Sequence, residues 1–387
     1  MQKNLIPCLC LVSALYAPAG QAADEAQQCL TNGQWAIPAD QGARPASTSR
    51  VLARARNADF VLLGEAHDNP DHHLWQLQTL GMLLGSRNGL VIGMEMFPRR
   101  VQPALDRWVA GELTESELLK QSEWERVWRF DPALYLPILR FARLNRIPVI
   151  ALNVERQLIS DIGKSGLSAI EQARREGVSD PEPASDDYRR ILRSWFEKHD
   201  MSYEASFENF VEGQLVWDRA FAQALSEAHT THPSALVVGI IGSGHLQYGH
   251  GVPHQLQSLG HDNVAVWLPG PASRPCDELA NIADAVFLVE DSERPPPPLR
   301  LGVFLRDDEG GTTIREVLPG SVADEAGLAS GDRIMSAAGI EVRASDDVIA
   351  LVRRQSPGTW LPMTVARNGE TIDVVAKFPA QVPAAAQ

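Results

Sequence analysis

The sequence lacks the short motifs of several common enzyme classes. It contains no H-E-x-x-H pair, no paired C-x-x-C, no G-x-S-x-G turn and no phosphate-binding glycine loop. These absences remove the sequence support for the metalloproteases, zinc ribbons, α/β-hydrolases and P-loop proteins that use those motifs. Any chemistry must therefore come from residues that the fold brings together.

Basic residues are also few. The 35 Lys and Arg against 49 Asp and Glu give a formal net charge of −14, which argues against nucleic acid as a partner. Beyond the N-terminus no apolar run is long enough to cross a membrane, so we expect no transmembrane span. With 44 % hydrophobic and 22 % charged residues, the composition is that of a globular chain with room for two or three domains.

The first residues resemble an export signal. Lys3 is followed by an apolar stretch from Leu5 to Tyr16 and by the small-x-small pattern Gly20-Gln21-Ala22, which predicts a signal peptide over residues 1–23 and a periplasmic or cell-envelope location. Removal of that segment leaves Cys29 and Cys276. They either form a disulfide or remain free thiols, because the sequence does not place their Cα atoms.

Four consecutive prolines mark the clearest boundary in the chain. Residues 293–298 read Glu-Arg-Pro-Pro-Pro-Pro, a composition that favours a stiff, extended linker. We therefore expect one domain over residues 24–292 and a second over 299–380.

Short apolar runs alternate with helical patterns in the first domain. A helix over Asp131–Asn145 is predicted by Asp at its cap and Pro132 at its first position. The charged and aromatic pattern of residues 166–229 predicts a helical insertion. We expect an α/β fold, with a mostly parallel sheet flanked by helices. The predicted strands are Phe60–Gly64, Leu90–Met94, Pro148–Leu152, Ala235–Ile241 and Asn263–Leu268.

Reactive side chains follow four of these strands. Ligands of open α/β sheets lie beyond the carboxyl ends of the strands, so these side chains should meet at one edge. The candidates are Glu65 and His67 after the first strand, Glu95 after the second, Asn153, Glu155 and Arg156 after the third, and His245, Tyr248 and His250 after the fourth. His67 and His245 share the spacing G-x-x-H, whereas Glu65 and Glu95 are equally compatible with helix capping.

Two kinds of chemistry suit this residue set. Imidazole and carboxylate groups such as Glu65, His67, Glu95 and His245 are ligands for a divalent metal such as zinc, with a glutamate as general base for hydrolysis. Alternatively, a tyrosine or histidine can be an axial ligand of haem iron. The nearby aromatic residues Trp124, Trp128 and Phe130 fit either core packing or stacking on a flat ligand.

The same segments resemble a known family. Gly64-Glu65-Ala66-His67-Asp68, Glu95-Met96-Phe97, Phe130-Asp131-Pro132 and Gly242-Ser243-Gly244-His245 are similar to ChaN proteins, which are iron-regulated and bind haem. The wider group includes TraB, Tiki proteases and erythromycin esterases. The resemblance implies haem ligation by a tyrosine, for which Tyr248 is the candidate with His245, His250 and His67 nearby, at an interface in a homodimer. It equally implies hydrolytic activity through Glu65, His67, Glu95 and His245.

The second domain resembles bacterial PDZ domains. The resemblance rests on Leu301-Gly302-Val303-Phe304, on Pro319-Gly320-Ser321-Val322-Ala323 and on the run from Ala326 to Ile334. It implies a small β-rich fold that binds a peptide or protein C-terminus beside an edge strand, with Arg300, Leu301, Gly302 and Val303 as the carboxylate-binding loop. The sequence thus predicts a periplasmic haem- or iron-binding protein for haem or iron uptake, docked by its PDZ module to an envelope receptor or uptake protein. A metal-dependent esterase or peptidase is the alternative.

Overall fold

In a computed structural model of the chain, the structure describes residues 30–39, 42–87, 89–198, 206–290 and 299–380. The predicted signal peptide, Cys29 and the proline linker lie outside these residues. Cys276 is disulfide-bonded. The described residues form two separate sheets, one on each side of the predicted linker.

The first sheet has eight strands and is mostly parallel, which confirms the predicted fold class. The strands are β1 Trp35–Ala39, β2 Gly42–Ala46, β3 Phe60–Leu63, β4 Leu90–Pro98, β5 Val149–Asn153, β6 Leu236–Ile240, β7 Val264–Pro271 and β8 Ala285–Val289. Their order is β2-β1-β8-β7-β3-β6-β4-β5. All neighbours from β8 to β5 are parallel, whereas β1 and β2 are antiparallel additions at one edge.

Helices cover both faces of this sheet. They are α1 Thr48–Ala55, α2 Pro70–Ser86, α3 Gln102–Ala110, α4 Glu115–Gln121, α5 Trp124–Val127, α6 Pro132–Leu144, α7 Arg156–Ser165, α8 Asp186–Lys198, α9 Phe207–Thr231 and α10 Val252–Ser258. Alternate residues of a strand point to opposite faces, so Val61 and Leu63 pack with α1 to α6. Phe60 and Leu62 pack with α7, α9 and α10 on the other face.

Local sequence accounts for the helix starts next to the site. The Asp131 side chain accepts a hydrogen bond from the Ala133 amide at 2.9 Å, with Pro132 at the first position of α6, as predicted. At α2 the Asn69 side chain accepts a hydrogen bond from the Asp71 amide at 2.9 Å and caps the helix, which begins at Pro70. These caps satisfy backbone donors that the helix itself leaves free.

The described part of the predicted helical insertion contains two α-helices with different roles. The longer one, α9, packs on the sheet, because its residues Val216, Phe221 and Leu225 are part of the hydrophobic core. The shorter one, α8, packs on α9 through Tyr188 and Leu192. Among the described residues no helix has the length and apolar character needed to span a membrane.

The second sheet is antiparallel. Its strands are β9 Val303–Asp308, β10 Gly311–Val317, β11 Arg333–Ala337, β12 Ile340–Glu341, β13 Trp360–Arg367 and β14 Glu370–Lys377, with helices α11 Val322–Glu325 and α12 Ser345–Arg353. The order β14-β13-β11-β10-β9 leaves β9 at an edge of the described sheet. Asp307 of β9 accepts hydrogen bonds from the amide and hydroxyl of Ser345, so the edge strand lies beside α12.

A buried ion pair stabilises the second sheet. Asp332 has a fully buried carboxylate that accepts hydrogen bonds from Arg367 at 2.6 and 2.7 Å and from the Ala329 amide at 2.8 Å. Although burial disfavours the ionised carboxyl, these donors lower the pKa of Asp332 below its usual value. The carboxylate is therefore stabilising only while it is ionised.

Replacement of this carboxylate should weaken the second sheet. Asp332→Asn should lower the free energy of opening of β11 and β13 by about 1–3 kcal/mol, since bonds to a charged group are lost, as measured by hydrogen-exchange mass spectrometry. In the wild type the same stabilisation should be present above the unfolded pKa of about 3.9 and be lost as the pH falls below it. Glu370→Gln, at an exposed position of the β13–β14 hairpin, is the matched control. Equal exchange in the two variants would contradict the role of Asp332.

Candidate functional site

The predicted site residues gather where β3, β4 and β6 end. These strands are neighbours in the order β3-β6-β4, and the segments after β3 and β6 contact each other, because the Ser243 amide donates to the Glu65 carbonyl at 2.9 Å. The structure thus brings Glu65, His67, Glu95 and His245 together, as the strand-end argument predicts.

Glu65 and His67 form the first carboxylate–imidazole pair. His67 Nδ1 lies 2.8 Å from Glu65 Oε1. The same Oε1 accepts a hydrogen bond from the Tyr135 hydroxyl at 2.7 Å, and Oε2 accepts one from Gln76 at 3.0 Å. His73 Nδ1 lies 3.4 Å from Oε2. This buried carboxylate is therefore surrounded by donors, as a buried charge requires.

Glu95 lies between the two G-x-x-H histidines. Its Oε1 is 3.9 Å from His67 Nε2 and 3.9 Å from His245 Nε2. Its Oε2 accepts a hydrogen bond from the Gly242 amide at 2.6 Å. The sequence predicted a strand ending at Met94, but β4 continues to Pro98 with a register shift against β5. Glu95 is consequently a buried strand residue whose charge is compensated by the segment after β6.

Asp218 of α9 forms the second pair with His245. Its Oδ1 lies 2.6 Å from His245 Nδ1, and its Oδ2 accepts a hydrogen bond from the Tyr188 hydroxyl at 2.8 Å. Each imidazole therefore directs Nδ1 at a carboxylate and Nε2 at Glu95. We call Glu65, His67, Glu95, His245 and Asp218 the buried network.

The carboxylates favour protonated imidazoles. Burial opposes a charge on His67, but the hydrogen bond to Glu65 and the charges of Glu95 and Asp68 raise its pKa to about 9. Burial likewise opposes the charge on His245, whereas Asp218 and Glu95 raise the pKa of His245 above its usual value. Burial would raise the pKa of Glu65, yet the contacts from His67, His73 and Tyr135 lower it overall. The neighbouring carboxylates thus favour the imidazolium form of both histidines, whose Nε2 atoms face Glu95.

Solvent reaches this network mainly at His67. The His67 side chain is 30 % exposed, whereas Glu65, Glu95, His245 and Asp218 are buried. The rings of Trp128 and Phe130 lie 4.7 and 5.2 Å from that of His67 and cover one side of it. The sequence left these two aromatics open between core packing and ligand stacking, and here they pack on a site residue.

The network does not have the arrangement of a metal centre. Within the part of the chain that the structure describes, no three His, Cys, Asp or Glu side chains have the geometry to hold a metal ion. The carboxylate oxygens already have other partners: Glu65 bonds His67, Tyr135 and Gln76, and Glu95 Oε2 bonds the Gly242 amide. The predicted zinc ligation by Glu65, His67, Glu95 and His245 therefore has no support in this geometry.

Tyr248 and His250 lie apart from the buried network. Tyr248 is 46 % exposed and has a left-handed backbone with φ 59°. Its ring lies 6.0 Å from that of His250, which stacks on Tyr188 at 5.6 Å. Since the Tyr188 hydroxyl bonds Asp218, a series of ring contacts connects the exposed phenol with the His245 pair.

The remaining predicted positions lie elsewhere. Glu155 pairs with Arg100 on the surface, whereas Asn153 supports the site by donating to the Glu95 carbonyl at 2.8 Å. In the second sheet Leu301 is buried, Arg300 is exposed and Gly302 has φ 85°. A Cβ at Gly302 would lie 2.2 Å from that of Ser321, so the turn into β9 requires glycine.

Sequence reasoning missed several groups that complete the network. Asp218 and Gln76 are polar residues within helices, and Tyr135 is one aromatic residue among many in α6. His73 was not among the predicted site residues, but it is buried beside Glu65. The sequence signal for such residues is a polar side chain at a position on the buried face of a helix. This signal does not identify the residue with which the side chain pairs.

Gly242 is a position at which a single methyl group should disturb the network. A Cβ there would lie 2.9 Å from His67 Cε1, so Gly242→Ala should displace the imidazole and cost about 1–3 kcal/mol of stability. Thermal unfolding and the His67 position in a crystal structure measure the two effects. Gly81→Ala, at an exposed position of α2 with open space around it, should be neutral or stabilising. An unmoved His67 in Gly242→Ala would refute the predicted contact.

The second sheet matches known domains. Residues 300–377 match the PDZ domain. A probable periplasmic serine endoprotease, DegP-like, of Hahella chejuensis is 42 % identical over 74 residues, which are 19 % of this chain and 16 % of that protein; the chain thus spans only a small part of that relative. The HtrA3 PDZ domain bound to a phage-derived ligand (FGRWV) is 22 % identical, covering 20 % of this chain and 82 % of that one, with a TM-score of 0.19.

The first sheet and its helices match a different family. A solved structure described as cofacial haem binding to ChaN of Campylobacter jejuni is 19 % identical, covering 66 % of this chain and 96 % of that one with a TM-score of 0.49. Residues 51–256, more than half of the chain, match the family described as haem-binding uptake, Tiki superfamily, ChaN. The chain therefore belongs to the ChaN family of haem-binding uptake proteins, here combined with a PDZ domain.

Proposed function

We propose that this protein is a periplasmic haem-binding protein of haem or iron uptake, with Tyr248 as the axial ligand of the iron. The exposed phenol of Tyr248 carries the proposal. A tyrosine oxygen is a recognised axial ligand of haem iron, and a non-glycine residue in the left-handed region is typical of functional loops. Tyr248 has both features.

The surroundings of Tyr248 support a flat aromatic ligand. Its amide donates to the Ile282 carbonyl at 2.8 Å, which anchors the loop, and His250 and Tyr188 supply neighbouring rings. A ligand bound at so exposed a side chain would keep one face uncovered. We therefore propose that a second copy of the chain covers that face in a homodimer.

The PDZ domain would dock this protein to others. Its edge strand β9, the turn at Gly302 and helix α12 are the parts that PDZ domains use to bind a peptide C-terminus. We propose an envelope receptor or uptake protein as the partner. Export of the chain by residues 1–23 remains a proposal that rests on the sequence pattern alone.

Haemin titration tests the first proposal. Purified protein should show a saturable Soret shift, and Tyr248→Phe should weaken binding at least about tenfold, equivalent to about 1.4 kcal/mol, because the phenolate ligand is lost. His250→Ala should have a smaller effect. His232→Ala, at the end of α9, should bind as the wild type does. Haem binding would be rejected by the absence of saturation, and the role of Tyr248 by equal affinity in Tyr248→Phe.

The buried network favours hydrolysis as a second candidate function. Glu95 Oε1 lies 3.9 Å from each of the two Nε2 atoms, too far for a direct hydrogen bond. A water molecule could therefore bridge the carboxylate and an imidazole. Glu95 would act as a general base on such a water, while the imidazolium groups of His67 and His245 would stabilise developing negative charge. Glu65 and Asp218 would orient the two rings.

A screen with ester and peptide substrates tests this candidate. Glu95→Gln should lower any activity at least about 100-fold, the contribution of a general base. Glu171→Gln, at an exposed position, should leave it unchanged. Activity that survives Glu95→Gln, or a wild type inactive on both substrate classes, would exclude hydrolysis by this network.

A further inference from the structure

Arg353 of the PDZ domain contacts the ChaN-type domain. Arg353 ends α12 and forms an ion pair with Glu125 of α5, and its other guanidinium nitrogen donates to the Arg129 carbonyl at 2.5 Å. The two side chains are only 20 % and 13 % exposed. A pair so well shielded is screened less than a surface pair, so this contact is suited to fix one domain against the other.

The segment that Arg353 contacts is conformationally strained. We call Glu123–Phe130 the wall segment. Glu123 and Arg129 have φ angles of 52° and 68°, a region that non-glycine residues enter only when surrounding contacts impose it. At one end Arg100 pairs with Glu123 at 2.5 Å, and within the segment the Trp124 indole donates to the Phe130 carbonyl at 2.8 Å. Arg353 supplies the contact at the Arg129 end.

The opposite side of the wall segment forms one side of the buried network. Trp128 and Phe130 pack on the His67 ring. Trp124 lies 5.4 Å from the Tyr135 ring, whose hydroxyl bonds Glu65. The wall segment therefore lies between the PDZ helix and His67, the most exposed member of the network.

From these contacts we propose that Arg353 is a positioning residue for the His67 side of the network, so that the PDZ domain is a structural part of the site. Without Arg353 the partly buried Glu125 carboxylate loses its cation, and an uncompensated charge drives a segment towards water. At the same time the carbonyl of the strained Arg129 loses the hydrogen bond that Arg353 donates to it. The wall segment then moves away from His67.

This arrangement links the proposed peptide-binding edge of the PDZ domain with the buried network. Helix α12 lies beside the edge strand β9 through the Asp307–Ser345 bonds, and its last residue holds the wall segment. One helix therefore borders both the peptide groove and the contact to the His67 wall. The inference concerns the buried network and does not require haem at Tyr248.

Selective NMR observation of the histidine Cε1–H groups in the full-length protein tests the proposal. The Trp128 ring shifts the His67 signal by its ring current, and Trp128→Leu defines the signal without that ring. Arg353→Ala should move the His67 signal towards the Trp128→Leu position, and Arg353→Lys should restore it in part. Arg354→Ala, the exposed neighbour of equal charge, should leave it at the wild-type position.

A second variant separates positioning from loss of the PDZ fold. Glu125→Ala removes the same ion pair from the ChaN-type domain and should move the His67 signal in the same direction, while the signal of the distant His232 stays in place. A His67 signal at its wild-type position in both Arg353→Ala and Glu125→Ala would overturn the proposal. An equal displacement of the His67 signal in Arg354→Ala would also overturn the proposal, since the effect would then come from the loss of any positive charge in this region.

Discussion

The burial of three carboxylates at one edge of the first sheet is the constraint on which the rest of the site depends. Glu65, Glu95 and Asp218 are withdrawn from water, and buried charges persist only where cations and donors compensate them. His67 and His245 provide that compensation, each through Nδ1 to one outer carboxylate and Nε2 towards Glu95. Several features of the fold bring these groups together. They are the neighbouring positions of β3, β6 and β4, the turn at Gly242 and the cap of α6.

The ChaN-type domain contains two distinct candidate sites. The buried network is polar, paired and reachable mainly at His67, whereas Tyr248 is an exposed phenol on a loop. The ring contacts of Tyr248, His250 and Tyr188 lead to Asp218, so the two sites are in contact but consist of different residues. This separation explains why the residue set fitted both haem binding and hydrolysis when only the sequence was considered.

The sequence predicted the parts of the structure that local pattern determines. The apolar runs of β3 and β6 and the G-x-x-H spacing placed Glu65, His67 and His245 at one edge, and the Asp131-Pro132 signal placed α6. Strands β1, β2 and β8 were missed, as was the pairing of His245 with Asp218. That partner is 27 residues away on a helix, and no periodicity encodes which polar residue of a buried helix meets which strand end. The contact of Arg353 with Glu125 joins residues 228 positions apart and was equally inaccessible.

The pairing of buried carboxylates with protonated histidines is tested most directly by an NMR titration of the His67 and His245 imidazoles in the full-length protein. The network predicts that His67 titrates near pH 9 and His245 above its ordinary value, and that Glu65→Gln moves the His67 midpoint downwards. A His67 midpoint at or below the ordinary value of about 6.5, unchanged by Glu65→Gln, would contradict the claim that buried carboxylates and imidazolium groups form the centre of this site.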